Sequence, residues 1–194
     1  MSYTFAILQT QVRLKVGDVA ADVTQPIDDA IAFLSNFFCL EKNATVATVA
    51  NQIYLANPAQ LQKLDRLVIN SVEYKKLSSL SDLGDAEISK AYYFYQYNGQ
   101  IQILPTPTSI MSGKVWGRFS FASLAGAGSS DVPDTLIPLV VLLATWFYFL
   151  RILADVAVAR SMYPGLDPDQ ICKAVSEIKK QFDSMLDTLK KYVI

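Results

Sequence analysis

Asp131-Val-Pro-Asp-Thr-Leu-Ile-Pro138 leads into Leu139-Val-Val-Leu-Leu-Ala-Thr-Trp-Phe-Tyr-Phe-Leu150, twelve residues without a charge. No other segment constrains the architecture as much. Pro133 and Pro138 suit positions before or inside a first helical turn, where a missing N–H costs little. Asp134 or Thr135 can accept from the free amides there, and the acid suits the positive end of the helix dipole. Behind that start, Val140, Val141, Leu142, Leu143, Trp146, Phe147, Phe149 and Leu150 occupy every side of the cylinder. A helix apolar all round is buried, in a protein core or in lipid.

The charges argue for a core. Asp134 and Arg151 bracket sixteen uncharged residues, whereas a membrane span needs about 20. Arg151 and Asp155, one turn apart, can pair on a single exposed face. No Lys/Arg cluster flanks either end as it would beside a cytoplasmic anchor. The expectation is a central helix within 131–163, buried in protein, with neighbouring subunits covering part of it.

The remaining totals narrow the class. A chain of 194 residues, 52% hydrophobic and 18% charged, suits one apolar-rich globular domain. A net charge of −1 with scattered Lys and Arg lacks the footprint of a dedicated nucleic-acid binder. There is no histidine, which removes His-based triads, most zinc sites and the usual general base near neutral pH. The first residues show no signal peptide, so Cys39 and Cys172 read as free thiols in a reducing compartment. No cofactor or metal motif is visible.

Upstream, Phe5, Leu8, Val12 and Val16 recur at helical spacing and Gly17 stops the run. Thr24 can cap a second helix whose apolar face is Ile27, Ala30, Ile31, Leu34, Phe37 and Phe38. From Cys39 the pattern turns strand-like: Thr45 to Val49, Gln52 to Leu55, Leu64 to Ile69, and Val72 to Leu77 about Asn70-Ser71. Ala86 to Lys90 reads as one helical turn. Tyr92-Tyr-Phe-Tyr-Gln-Tyr97, Asn98-Gly99 and Gln100-Ile-Gln-Ile-Leu104 signal a hairpin with a type I′ turn. A strand from Gly113 to Phe121 follows, with Trp116 and Arg118 on one face and Val115, Phe119 and Phe121 on the other. The tyrosines could form a sugar- or base-stacking platform, but aromatic strand residues more often pack on neighbours. Ala125 to Asp131 reads as a linker; its two glycines do not make a dinucleotide fingerprint.

After Tyr163-Pro-Gly-Leu, Asp167 caps and Pro168 opens a last helix. Ile171, Val175, Ile178, Phe182, Met185, Leu189 and Tyr192 recur at alternating spacings of 4 and 3, a narrow seam for a single partner helix. The nearest partner is this chain's own central helix; a neighbouring subunit's is the alternative. The fold expected is α+β and mainly helical: N-terminal helices in 1–38, a β-rich region with an antiparallel meander or hairpin in 39–124, a central helix in 131–163 and a C-terminal helix in 167–194, all in one domain over 1–194.

This order of elements resembles the head-to-tail adaptor proteins of tailed bacteriophages, also called connector or head-completion proteins. The residues that carry the resemblance are Tyr97-Asn-Gly-Gln-Ile-Gln-Ile-Leu-Pro-Thr-Pro107, the strand Lys114 to Phe121, and Val132-Pro-Asp-Thr-Leu-Ile-Pro138. The helical start Pro26 to Phe38 and the strand pair Thr45 to Pro58 fall where that family has them. The resemblance implies a non-enzymatic virion protein at the head–tail junction, assembled in the host cytoplasm as a ring usually of twelve copies. Its partners would be the portal protein above, tail or neck proteins below, and DNA only in passing; it implies no cofactor, and no membrane is expected. A head-to-tail ring needs two unlike faces. Trp146, Phe147 and Phe149 on the central helix supply one candidate, and Ile171, Val175, Ile178, Phe182, Met185, Leu189 and Tyr192 the other.

Two other classes compete with an adaptor. The apolar helix 136–150 could insert in a membrane, or Asp82, Asp85 and Glu87 could serve a carboxylate-dependent hydrolase. Three acids in a polar loop are usually just solvated.

Overall fold

The computed structural model describes residues 4–78, 91–97, 99–122, 131–154, 161 and 168–192. The turn expected at Ala86–Lys90, Asn98 of the hairpin, most of the linker, residues 155–160, 162 and 163 of the expected central helix and the Asp167 cap lie outside them. Two compact units emerge: Met1–Phe37 with Phe121–Ile194, and Phe38–Ser120.

The first unit is helical. α1 (Phe5–Val16) is capped by Thr4, whose Oγ1 accepts from Ile7 N at 3.4 Å, and is stopped by Gly17 in the left-handed region at φ 76°. It buries Leu8, Val12 and Val16. α2 (Thr24–Leu34) buries Pro26, Ile27, Ala30, Ile31 and Leu34. Thr24 is its first helical residue rather than its cap. Asp22 accepts from Thr24 N at 3.1 Å, and these hydrogen bonds to Thr24 hold its carboxyl below the usual value. A single 3-10 turn, Asp134–Leu136, precedes α3 (Ile137–Ala154). α4 (Pro168–Tyr192) packs along α3, which also meets α1 and α2. α3 is therefore the hub of this unit, as its apolar sequence demands.

Two polar contacts hold the returning chain, one of them to the α2 end. The buried Ser35 hydroxyl donates to Ile31 O at 2.9 Å and accepts from Phe121 N at 3.1 Å. Ala122 N donates to Asp131 Oδ1 at 2.9 Å.

The second unit corrects the expected fold. Among the described residues the chain has four helices and a seven-stranded, mixed, curled sheet, 43% helix and 28% strand. It is not a mainly helical subunit with an appended hairpin. The strands are β1 (Leu40–Ala47), β2 (Tyr54–Leu55), β3 (Leu61–Ile69), β4 (Val72–Lys76), β5 (Tyr93–Tyr97), β6 (Gln100–Leu104) and β7 (Ser112–Phe119), in the order β1-β7-β3-β4-β5-β6-β2. All neighbours are antiparallel except β4 and β5.

Three features explain why the sheet exceeds the expected meander. β1 begins at Leu40, earlier than expected, because an edge strand tolerates the charges of Glu41 and Lys42 and is protected by them. β3 begins at Leu61, and its ladder with β7 shifts between Leu61 and Lys63 and again between Leu64 and Arg66. Each bulge adds a residue, so Leu61, Leu64 and Leu67, at a spacing that breaks strand alternation, all reach the core face. β7 then pairs with both β1 and β3 across long sequence separations, including Leu40 with Phe119. Asn70 and Ser71, at φ 48° and 66°, form the two-residue type I′ turn between β3 and β4.

The bulges leave backbone groups of β3 without ladder partners, and side chains supply them. Gln96 Oε1 accepts from Leu64 N at 2.7 Å, Gln96 Nε2 donates to Gln62 O at 3.4 Å, and Lys76 Nζ donates to Leu64 O at 2.7 Å. β4 pairs with β5 at Lys75–Tyr93 and Lys76–Phe94, and Gln96, farther along β5, reaches past that short ladder to β3. Gln96→Ala is expected to lower stability by about 2 kcal/mol, since a part-buried amide loses its acceptor. Chemical denaturation measures it; a change within about 0.5 kcal/mol, as for an ordinary surface site, would sink this account.

Candidate assembly surfaces

The apolar α3 is not covered on every side. Ile137, Leu139, Val140, Val141, Leu143, Ala144, Thr145, Tyr148 and Ile152 are buried. Leu142, Trp146 and Phe149 are only half-buried, and Leu150 is exposed. Those four positions recur at helical spacing, so they form one stripe along the helix. Phe147, also half-buried, turns the other way and meets Phe33 of α2 edge-on, with centroids 6.2 Å apart. Arg151 pairs with Asp29 of α2 at 2.9 Å; Asp155, its expected partner, lies outside the described residues.

On α4, Ile171, Val175 and Phe182 are buried within the chain, and Phe182 touches Phe33 at 6.1 Å. Ile178, Met185 and Leu189 are half-buried, and Leu186, absent from the expected seam, is buried. The side chain of Tyr192 is outside the described residues. By length and composition the 21-residue helix Asp134–Ala154 could cross a membrane, yet more than half of it is buried inside the protein.

A groove of about 660 Å³ opens where α1, α3 and α4 meet. Its floor is Ile137, Pro138, Val141 and Leu142; Leu14 forms an apolar wall, and Gln11, Lys15 and Gln181 line it with polar groups. Leu14 is 70% exposed although it lies in a helix. It falls off the Leu8–Val12–Val16 stripe, which is why core packing leaves it outside.

In the β unit, Phe94 is buried, whereas Tyr93, Tyr95 and Tyr97 point to the opposite face beside Gln100 and Gln102. The rings of Tyr95 and Tyr97 are stacked, 6.1 Å apart. Tyr74 is buried against Tyr92, and burial first, then the Tyr92 phenol, pushes its pKa above the usual tyrosine value. On β7, Val115 and Phe119 face inward and Trp116 and Arg118 outward, as expected, with the Arg66 guanidinium over the Trp116 ring at 4.9 Å.

The loop between β6 and β7 carries a residue that sequence reasoning passed over. Ile110 is 75% exposed, while both its neighbours are held. The Thr48 hydroxyl donates to Ser109 O at 2.8 Å and accepts from Met111 N at 2.7 Å. Thr48 N donates to Met111 O at 2.9 Å, and Asn51 N to Pro107 O at 2.8 Å. Thr48 itself is 1% exposed. The only hint in the sequence is an isoleucine in a Pro/Thr/Ser loop.

Asp82, Asp85 and Glu87 lie outside the described residues. Among the described residues no group of three His, Cys, Asp or Glu is placed to hold a metal ion, and Cys39 and Cys172 are free and exposed. The features that stand out are surfaces suited to other macromolecules. No curated protein matches the chain. The family model described as SU10 adaptor protein matches residues 3–191, nearly the whole length, and the chain therefore belongs to the SU10 adaptor protein family, a bacteriophage family of the head–tail adaptor type.

Proposed function

We propose that this bacteriophage structural adaptor works at the head–tail junction as a homo-oligomeric ring of twelve copies, docked between the portal and the tail or neck proteins, with DNA passing through its channel. It performs no turnover and needs no cofactor. The observation that carries this reading is the family match across residues 3–191. Composition supports it independently: a conduit for DNA should not hold DNA, and a chain of net charge −1 without basic clusters suits that.

The ring interface draws on the apolar surface left on the helical unit: Trp146 and Phe149 with Leu142 on α3, and Phe147, Ile178, Met185 and Leu189 where they stay half-exposed. Ile171, Val175 and Phe182 serve the chain's own helix packing.

Banding of the tagged chain with DNA-filled particles in a lysate gradient, in many copies per particle, tests the reading. Flotation with lipid would favour the membrane alternative and overturn it. Trp146→Ala is expected to cost the isolated chain only about 1–2 kcal/mol, since a half-buried side chain has less burial to lose, and to remove the chain from particles. A cost of about 3–5 kcal/mol would make Trp146 core instead.

A further inference from the structure

The Ile110 loop and the groove beside α1 have matching chemistry on separate units of one chain. The loop Pro105-Thr-Pro-Thr-Ser-Ile-Met111 carries no charge and presents Ile110, 75% exposed. Four hydrogen bonds with Thr48 and Asn51 hold it in place, so little conformational entropy remains to be lost on docking. Val49, next in sequence to Thr48, is exposed as well. A loop held this firmly with its largest apolar side chain in water gains nothing for the fold from Ile110.

The groove offers the complement. Its floor is apolar, Leu14 stands exposed at its wall, and the amides of Gln11 and Gln181 suit the hydroxyls of Thr106, Thr108 and Ser109. Knob and socket are different surfaces of the same chain, so a contact between copies is heterologous, the type that closes a ring.

We propose that the Ile110 loop of one copy seats in the α1–α3 groove, between Leu14 and Leu142, of the next copy. This interface rests on the ring reading above.

The test uses particles assembled with the full chain in a Cys39→Ser, Cys172→Ser background. A chain carrying both Ile110→Cys and Leu14→Cys, treated with a short bis-maleimide, should give a ladder of covalent multimers; either single variant should stay monomeric. Ile110→Asp should lower the copies per particle at least tenfold with the circular dichroism of the free chain unchanged, while Val19→Asp, at an exposed apolar position that does not line the groove, should not. If the unsubstituted chain is in particles but the ladder is absent, or Ile110→Asp assembles normally, the knob-and-socket contact is wrong and the adaptor reading stands. Cross-linking of the Leu14→Cys single variant to a different virion protein also overturns it. If the unsubstituted chain is missing from particles, the ring reading falls first.

Discussion

Phe94→Ala should destabilise the protein by about 3–5 kcal/mol, the usual cost of deleting a fully buried phenylalanine. Phe94 is 1% exposed and sits in the β-unit core with Leu64, Leu67, Ile101, Ile103 and Val115. Its position adds to the cost. It is one of only two residues through which β5 pairs with β4, so its side chain helps hold the join between the two antiparallel parts of the sheet. The flanking strands are tied by their own ladders and cannot collapse freely into the space. Denaturant titration of the purified chain checks it, and Phe94→Leu, which keeps much of the volume, should recover a large part of the loss. A cost under about 1 kcal/mol for the alanine variant would mean that the core refills and that Phe94 does not hold the join.

Gly117→Ala should cost about 3 kcal/mol, at the upper end for overpacking. Gly117 lies opposite the second bulge of β3, paired with Leu64. A methyl group there would run into the Lys63 carbonyl oxygen and also come within 3.0 Å of Leu61 Cδ1. The carbonyl is backbone and cannot swing aside as a side-chain tip could. Relief would require unpicking the bulge, and with it the Gln96 and Lys76 hydrogen bonds to Leu64. Gly99 is the contrast. A Cβ there meets nothing within 4 Å, and the strain of an alanine would come from its φ of 73° alone, roughly 1 kcal/mol. If Gly117→Ala proves no worse than Gly99→Ala in the same titration, close backbone approach is not what requires glycine at 117.

The two units were unequally legible. α1, α2 and the α4 seam could be read because a helix writes its contacts at short spacing: Leu8, Val12 and Val16, or Ile171, Val175 and Phe182, declare a face with no distant partner known. The β5–β6 hairpin and the faces of β7 were readable for the same local reason. The sheet was not. Its strand β7 takes β1 and β3 as neighbours from far along the chain, and no local pattern encodes that choice. The bulges in β3 disguise its core face, and the charges of β1 disguise a strand whose edge position makes them harmless.

The candidate surfaces divide in the same way. That α3 must be buried was written in its uninterrupted apolar run, but which stripe stays open was not. That stripe is whatever α1, α2 and α4 leave uncovered, a remainder of packing rather than a property of Leu142, Trp146, Phe149 or Leu150. Leu14 could have been noticed as an apolar residue off its helix's buried face, although nothing local says that a groove lies beside it. Ile110 needed Thr48, distant in sequence, to become a held loop rather than a loose one.

By itself the sequence determined which segments are helices, which hairpins form and that α3 lies in a core, because short-range periodicity and turn chemistry act within a few residues. Only the tertiary structure decided the order of the seven strands, the Gln96 contacts to β3 and the surfaces left open at Leu14, Trp146 and Ile110. Those depend on which distant segments find each other and on what remains uncovered when they have.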